Sequence, residues 1–176
     1  MEVDDLKALI RTIPDFPRPG IQFRDITTLL LDAQGFAATI DGMAAQIAKP
    51  DLVAGIEARG FGFAAGLALR FGTGLLLIRK DGKLPSATIA EDYALEYGTD
   101  RLVMHVDACA PGANVLLVDD LLATGGTALA AARLIRRAGA VVSGASFAIE
   151  LPALGGSGRL QAEGIPVHSL LAFDGD

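Results

Sequence analysis

Short apolar runs alternate along this chain with segments whose apolar residues recur at helical spacing, and this alternation constrains the fold more than any other feature. Runs typical of buried strands occupy residues 52–56, 75–78, 115–118, 140–149 and 167–173. Helical spacing is found at residues 6–13, 33–48, 61–71 and 125–138. Strands that alternate with helices of this length form βαβ units around a parallel sheet. We therefore predict an α/β fold with an open, twisted, mainly parallel sheet flanked by helices.

Two segments depart from the alternation. Residues 1–31 begin with a short helical pattern that the proline- and glycine-rich stretch at 14–20 ends, which predicts a small N-terminal element beside the sheet. In residues 80–101, charges, glycines and two tyrosines replace the apolar runs. Connections of this length inside a domain are usually functional lids or disordered segments. We predict a flexible loop that closes on a substrate, with a solvated β-ribbon as the alternative.

Composition and charge exclude several classes of protein. Apolar residues make up 51% of the 176 residues, which supports a buried core and argues against intrinsic disorder. No apolar run approaches the ~18 residues of a membrane helix, and no cleavable apolar leader follows the acidic first residues. The net charge of −6 argues against nucleic acid as a partner. Cys109 is the one cysteine, which fits a reducing cytoplasm.

The strongest chemical signal is the sequence LVDDLLATGGT at residues 117–127. A predicted strand leads into Asp119 and Asp120, and a glycine-rich turn follows before the predicted helix. Backbone N–H groups in such a turn converge on phosphate oxygens, and Thr124 and Thr127 can add hydroxyl donors. The lysine of a Walker A loop is absent. Because carboxylates suit sugar hydroxyls or a cation, we predict a ribose 5-phosphate site, with a ligand-free acidic turn as the alternative.

A second glycine-rich turn follows the predicted strand at residues 52–56. Residues 60–65 (GFGFAA) have the G-x-G-x-x-A form of a dinucleotide-binding turn. Three residues separate this segment from the strand, however, and a lone match of this kind is weak. Residues 57–60 are better interpreted as a second anion-binding turn, in which Arg59 supplies the cation.

Five segments in sequence order carry a resemblance to a known family: PRPGIQFRDIT (17–27), IEARGFGF (56–63), IRKDGKLP (78–85), YALEYGTDRL (93–102) and LVDDLLATGGT (117–127). Together they resemble the adenine phosphoribosyltransferase family of type I phosphoribosyltransferases, from residue 16 to residue 173. The resemblance implies one domain over residues 1–176, with residues 1–31 as a hood and residues 80–101 as a flexible catalytic loop. It also implies a purine salvage reaction, in which adenine and phosphoribosyl pyrophosphate give AMP and pyrophosphate. The implied enzyme is a cytoplasmic homodimer that uses Mg²⁺.

The resemblance also assigns roles to individual residues. The phosphoribosyl group would contact Asp119, Asp120, Ala123, Thr124, Gly125, Gly126 and Thr127. The pyrophosphate would contact Glu57, Ala58, Arg59, Gly60, Arg79, Lys80 and Lys83. The adenine would lie between Phe23 and Leu151, with its edge read by the main chain of Arg24. Glu96 would be the acid/base residue and Arg59 the second catalytic residue, while Mg²⁺ would have no direct protein ligand.

Two positions depart from the family pattern. Gln22 is polar where an apolar residue is expected beside the base, and Ala58 stands where relatives often carry a serine. The family further implies a cis peptide bond between Glu57 and Ala58. Three alternatives stay open: a transferase for hypoxanthine, guanine or xanthine, a non-catalytic sensor of phosphoribosyl pyrophosphate, and a dinucleotide enzyme.

Overall fold

A computed structural model describes residues 1–95 and 98–174. Its helices are α1 (Val3–Ala8), α2 (Thr27–Leu31), α3 (Ala33–Ala44), α4 (Gly60–Phe71), α5 (Gly126–Arg137) and α6 (Gly156–Ala162). Its strands are β1 (Arg11–Pro14), β2 (Gln22–Asp25), β3 (Leu52–Ile56), β4 (Gly74–Lys80), β5 (Thr88–Leu95), β6 (Gly98–His105), β7 (Asn114–Leu122), β8 (Val141–Glu150) and β9 (Val167–Ala172). A short 3₁₀ helix at Pro152–Leu154 joins β8 to α6.

Seven strands form the central sheet in the order β5-β6-β4-β3-β7-β8-β9. Strands β3, β4, β7, β8 and β9 pair in parallel, and the β5–β6 hairpin adds an antiparallel edge. This arrangement confirms the prediction of a mainly parallel α/β sheet. Because parallel strands point the same way, the turns that follow β3 and β7 lie at one edge of the sheet, where ligands of open α/β folds bind.

Alternate side chains of the central strands supply two apolar cores. Along β7, Val115 and Leu117 pack with α5 and α6, whereas Leu116 and Val118 pack with the helices of the first half of the chain. All four side chains are buried, as expected for a strand covered on both faces. The burial of this strand therefore fixes the position of the residues that follow it. No helix among the described residues is long and apolar enough to cross a membrane.

The N-terminal segment forms a separate two-stranded sheet in which β1 pairs antiparallel with β2. The helix predicted at residues 6–13 is therefore wrong at its end, since α1 stops at Ala8 and the chain is a strand from Arg11. Local periodicity could not show this, because the strand is held by a partner later in the chain. The Arg11 guanidinium donates to Asp25 at 3.1 and 2.5 Å. Hydrogen bonds from Thr27 and Arg11 lower the pKa of Asp25 to about 2.

The segment at residues 80–101 contains most of a β-hairpin. Strands β5 and β6 pair continuously from Thr88 opposite His105 to Leu95 opposite Gly98. In the part of this segment that the structure describes, the backbone therefore forms the β-ribbon that was the alternative prediction. The predicted closure of this segment over a substrate stays a prediction, and Glu96 lies outside the described residues.

Candidate active site

The turn between β7 and α5 encloses the first part of the candidate site. β7 continues through the two aspartates to Leu122, four residues beyond the predicted apolar run at 115–118, and α5 begins at Gly126. Gly125 turns the chain between them with φ +81°, a conformation that favours glycine. A cavity of about 220 Å³ lies here, lined by Arg59, Phe147 and the run of residues 119–128. The predicted phosphoribosyl-binding residues are therefore brought together around one cavity.

Helix α6 supports this turn from behind. A Cβ atom on Gly156 would lie 2.3 Å from the carbonyl oxygen of Ala123, so only glycine allows this approach. The guanidinium of Arg159 donates to the carbonyl oxygen of Thr124 at 2.8 Å. Sequence reasoning missed both residues, because the contact joins segments about 35 residues apart and no local pattern marks it. These two contacts hold the turn between β7 and α5 against α6, so it is a packed turn rather than an open loop.

Arg59 and the two aspartates form the charged part of the cavity. Nε of Arg59 lies 2.9 Å from Oδ2 of Asp120, and the Asp120 side chain is 5% exposed. The angle at this contact is not that of a hydrogen bond, so Oδ2 has no hydrogen-bond donor among the described residues. Oδ1 of Asp119 accepts a hydrogen bond from the backbone N–H of Asp120 at 2.9 Å. A buried carboxylate oxygen without a donor is suited to a ligand hydroxyl.

Burial shifts the protonation of both carboxyl groups. Desolvation raises the pKa of Asp119 well above its usual range, and the neighbouring charge of Asp120 raises it further. The Asp119 side chain keeps some exposed surface, but protein atoms surround the carboxyl group itself. Desolvation also raises the pKa of Asp120, although the Arg59 guanidinium opposes the shift. Two neighbouring acids are thus held in a site that disfavours two full negative charges.

The turn between β3 and α4 lies against the end of β7. A Cβ atom on Gly60 would lie 2.8 Å from Oδ1 of Asp119 and 2.9 Å from the carbonyl oxygen of Val118. The absence of a side chain at Gly60 therefore lets the start of α4 reach the acidic pair. The peptide bond between Glu57 and Ala58 is cis, which confirms the expectation for this turn.

Two of the three other predicted pyrophosphate cations have partners within the chain. Nε of Arg79 donates to the Glu57 carboxylate at 2.9 Å, and this contact is the main cause that lowers the pKa of Glu57. The Lys80 ammonium donates to the Tyr93 hydroxyl at 2.6 Å and to the Asp100 carboxylate. Lys83 is exposed on the turn after β4. Arg79 and Lys80 thus border the anion turn, but their charges are partly balanced.

Two of the three predicted base-binding residues, Phe23 and Leu151, contact residues that line this cavity. The half-buried ring of Phe23 lies 5.3 Å from the Arg59 guanidinium. Leu151 is buried, and its backbone N–H donates to the carbonyl oxygen of Leu122 at 2.9 Å. The guanidinium of Arg24 faces Thr12, to which it donates at 2.7 Å. It also donates to the carbonyl oxygen of Asp174 at 3.2 Å and lies 4.6 Å from the Phe173 ring, so the side chain joins the N- and C-terminal segments, and the prediction for this residue concerns its main chain.

A larger cavity of about 370 Å³ lies elsewhere, between α3 and the β8–β9 edge, and is lined by Val3, Gly42, Met43, Gln46, Ser146, Val167, His168, Ser169 and Leu170. It contains no arginine, lysine or carboxylate side chain. The smaller cavity combines backbone N–H donors, two carboxyl groups and a guanidinium, and is therefore the candidate active site.

Comparison with known proteins places the chain in a family. The model of the phosphoribosyl transferase domain matches residues 27–151. The chain is 61% identical over 177 residues to the adenine phosphoribosyltransferase of Erythrobacter litoralis (strain HTCC2594), with 99% of each chain covered. The chain belongs to the adenine phosphoribosyltransferase family. This membership confirms the resemblance on which the site residues were predicted.

Solved structures of adenine phosphoribosyltransferases have the same fold. The enzyme of Rhodothermus marinus DSM 4252 matches with a TM-score of 0.90 and 48% identity, covering 97% of this chain and 98% of its own. The enzyme of Saccharomyces cerevisiae, crystallised with adenine and an imino-altritol bisphosphate, matches with a TM-score of 0.89 and 35% identity, covering 96% and 98%. The GFGFAA segment is therefore the start of α4 in a phosphoribosyltransferase fold rather than a dinucleotide-binding turn.

Proposed function

We propose that this chain transfers the 5-phosphoribosyl group of phosphoribosyl pyrophosphate to adenine, forming AMP and pyrophosphate in purine salvage. One observation carries the proposal: a single cavity joins the 123–127 turn, the Asp119–Asp120 pair and Arg59. These three parts suit a phosphate, a sugar diol and a pyrophosphate, respectively. The bond that breaks joins the anomeric carbon to pyrophosphate, so the reaction is a glycosyl transfer with oxocarbenium character.

The turn at residues 123–127 is the proposed 5-phosphate site. Its backbone N–H groups and the first N–H groups of α5 have no helical acceptor, and the helix dipole adds partial positive charge. The hydroxyls of Thr124 and Thr127 supply further donors. Asp119 and Asp120 are the proposed partners of the ribose hydroxyls, because the two hydroxyls of a diol can donate hydrogen bonds to both carboxyl groups. These hydrogen bonds would replace the ones to water that burial removes.

Pyrophosphate is a poor leaving group unless its charge is offset. Arg59 and the backbone of residues 57–60 are the proposed first contacts, with Arg79, Lys80 and Lys83 around them. When bound, Mg²⁺ would neutralise part of the pyrophosphate charge. The described residues contain no cluster of three or more metal-ligating side chains. The proposed metal would be held mainly through pyrophosphate, ribose hydroxyls and water, with Asp119 and Asp120 acting on it only indirectly.

The base site is proposed between the hood, residues 1–31, and the end of β8. Phe23 and Leu151 offer apolar surface for the two faces of a purine. The main-chain N–H and C=O of Arg24 would match the N1 acceptor and the N6 donor of adenine. The 6-oxo group of guanine or hypoxanthine reverses this hydrogen-bonding sense, so the same edge would reject those bases.

The segment at residues 80–101 is the proposed lid, and Glu96 is its acid/base residue. Closure of a lid removes water, and desolvation raises the pKa of a carboxyl group toward that of the purine nitrogen with which it exchanges a proton. The hairpin lies close to the phosphate turn, since the carbonyl oxygen of Ala94 is 3.7 Å from the position of a Cβ on Gly126. This proximity supports a carboxylate delivered from the hairpin tip to the site.

An exposed apolar stripe supports a homodimer. Leu69, Leu75 and Leu77 are 84%, 41% and 39% exposed along α4 and β4. Exposed leucines grouped in this way mark interaction surfaces. Leu77→Glu should shift the mass measured by light scattering from dimer to monomer, while Val141→Glu, at another exposed strand position, should leave it unchanged. We place the enzyme in the cytoplasm, where Cys109 would remain a thiol.

The proposed activity is tested by release of pyrophosphate from phosphoribosyl pyrophosphate with each of adenine, guanine, hypoxanthine and xanthine. Of the four bases, only adenine should support turnover, and the amount of AMP formed should equal the amount of pyrophosphate released. Turnover of guanine or hypoxanthine without adenine would contradict the assigned base. Absence of turnover with all four bases, together with tight binding of phosphoribosyl pyrophosphate, would favour a sensor instead.

A further inference from the structure

The β5–β6 hairpin has two separate attachments to the rest of the chain. Near its base, β6 pairs with β4 at only two positions, Arg79 opposite Val103 and Lys80 opposite Leu102. At the same register on its other strand, β5 packs on α5, since Ala90 and Glu91 lie opposite Val103 and Leu102. Beyond these positions β6 has no further pairing with β4 among the described residues, so side-chain contacts such as those of Lys80 with Tyr93 and Asp100 help to position the outer half.

Glu91 makes the charged contacts between β5 and α5. Its Oε2 accepts from Nη1 of Arg137 at 3.1 Å, and its Oε1 lies 3.5 Å from Nη1 of Arg133. The same Arg137 nitrogen donates to the backbone carbonyl of Ala90 at 2.5 Å. The Glu91 side chain is 19% exposed, so the two arginines largely cover it. A largely covered carboxylate that faces two cations differs from an isolated exposed ion pair, which contributes little to stability. The bond from Arg137 to the Ala90 carbonyl adds a second link between α5 and β5.

The two arginines lie one turn apart near the end of α5. The beginning of this helix forms the phosphate turn, and Gly126 faces Ala94 of the hairpin. One rigid helix therefore contacts the proposed substrate phosphate at its N-terminus and the hairpin through its C-terminal arginines. The hairpin position is set relative to the phosphate turn through α5.

We infer that Glu91 is a positioning residue, which with Arg133 and Arg137 holds the hairpin against α5 and so fixes the place of the acid/base carboxylate relative to the bound phosphoribosyl group. The catalytic part of this inference rests on the proposed function, in which Glu96 is carried by the hairpin tip. The contact itself does not, because Glu91, Arg133 and Arg137 all lie outside the residues that line the candidate site. Glu91 has no contact with the cavity residues 119–128 among the interactions of the described chain.

The first test reads the contact alone, by amide hydrogen exchange of the protein without substrates. Glu91→Ala and Glu91→Gln should each increase exchange in residues 88–95 and 98–105 at least threefold, with α5 unchanged. The matched control is Asp92→Ala, which removes the ion pair from Asp92 to Arg101 inside the same hairpin and should not change exchange at the α5 side. Exchange in the Glu91 variants equal to that of the Asp92→Ala control would overturn the inference.

The second test reads positioning, by steady-state kinetics with adenine. Glu91→Ala should lower kcat about fivefold while KM for phosphoribosyl pyrophosphate changes less than twofold, because the phosphate turn is intact. Arg137→Ala should act similarly, and the double variant should be no worse than the stronger single variant. A kcat unchanged in Glu91→Ala despite faster exchange would overturn the positioning role. An inactive wild-type protein with the expected exchange pattern would instead contradict the proposed function.

Discussion

The guanidinium of Arg59 lies between the Asp120 carboxylate and the Phe23 ring, with Nε 2.9 Å from Oδ2 and the guanidinium carbon 5.3 Å from the ring centre. One side chain thus connects the proposed base site to the proposed ribose site. Its positive charge offsets the negative charge of the buried Asp120 carboxylate. A pyrophosphate bound at residues 57–60 would compete for the same guanidinium, so substrate binding should change the protonation of Asp120.

Replacement of this guanidinium should damage catalysis more than folding. Arg59→Ala should lower kcat/KM by roughly 10²–10³, the range found when a charge-stabilising donor is removed from an active site. The Arg59 side chain is 44% exposed but its partner Asp120 is 5% exposed, so the variant also leaves a buried carboxyl group unpaired and should lose some stability. Arg70→Ala is the control, since Arg70 lies on α4, the helix that follows Arg59, and pairs with Asp41 at the surface. Near-normal kcat/KM in Arg59→Ala would contradict the role.

The acidic pair should contribute less to stability at neutral pH than at mildly acidic pH. The pKa of Asp119 is raised in the folded state, so the folded protein binds a proton more tightly than the unfolded chain does. Stability from this group is therefore lost as pH rises from the unfolded pKa, about 3.9, toward the folded pKa. Asp119→Asn should raise Tm at pH 7 and leave it nearly unchanged at pH 4. An equal rise in Tm at both pH values would show that the raised pKa of Asp119 is not the cause of the stabilisation.

Much of the sheet could be predicted from local pattern alone. The strand at residues 52–56 was predicted with the bounds of β3, since a buried parallel strand is an unbroken apolar run between polar ends. The helix predicted at 125–138 differs from α5 by one residue at each end. The hairpin at residues 88–105 was predicted only as the β-ribbon alternative for residues 80–101, because its charges, which mask the strand pattern, are paired across and beyond the ribbon, as with Asp92 and Arg101.

The membership of the candidate site could also be predicted, but its internal contacts could not. Residues 119–127 of the predicted segment line one cavity. The pairing of Arg59 with Asp120 depends on the approach of two turns from different strands, and only the folded sheet sets that distance. The contacts of Gly156 and Arg159 likewise exist only in the folded chain, so the sequence does not predict them. Glu96 is assigned from its position in a family segment, and its role remains a prediction.

Filling the phosphate turn should abolish substrate binding without unfolding the protein. A Cβ on Gly126 would meet nothing closer than the Ala94 carbonyl oxygen at 3.7 Å, so the fold has room for a side chain. That space is where the 5-phosphate is proposed to lie. Gly126→Val should abolish binding of phosphoribosyl pyrophosphate in calorimetry. Gly62→Val, on the open face of α4, is the control, and retained affinity in Gly126→Val would move the phosphate site elsewhere.

The proposed acid/base role predicts a loss of turnover rather than of binding. Glu96→Gln keeps the size of the side chain but cannot exchange a proton, so kcat should fall by roughly 10²–10⁴. The dissociation constant of phosphoribosyl pyrophosphate should stay within twofold. Asp92→Asn, which alters another hairpin carboxylate, should keep normal turnover. A wild-type rate for Glu96→Gln across the pH range would remove Glu96 from the mechanism.

Two glycines of α6 give a matched test of the support behind the phosphate turn. A Cβ on Gly156 would lie 2.3 Å from the Ala123 carbonyl oxygen, whereas a Cβ on Gly158 would meet nothing within 4 Å. Gly156→Ala should therefore displace the turn, lower the free energy of unfolding by about 1–3 kcal/mol and weaken binding of phosphoribosyl pyrophosphate at least tenfold. Gly158→Ala should stabilise the helix by about 0.5–1 kcal/mol and leave binding unchanged. Denaturant unfolding and calorimetry measure both effects, and equal behaviour of the two variants would show that α6 does not support the turn.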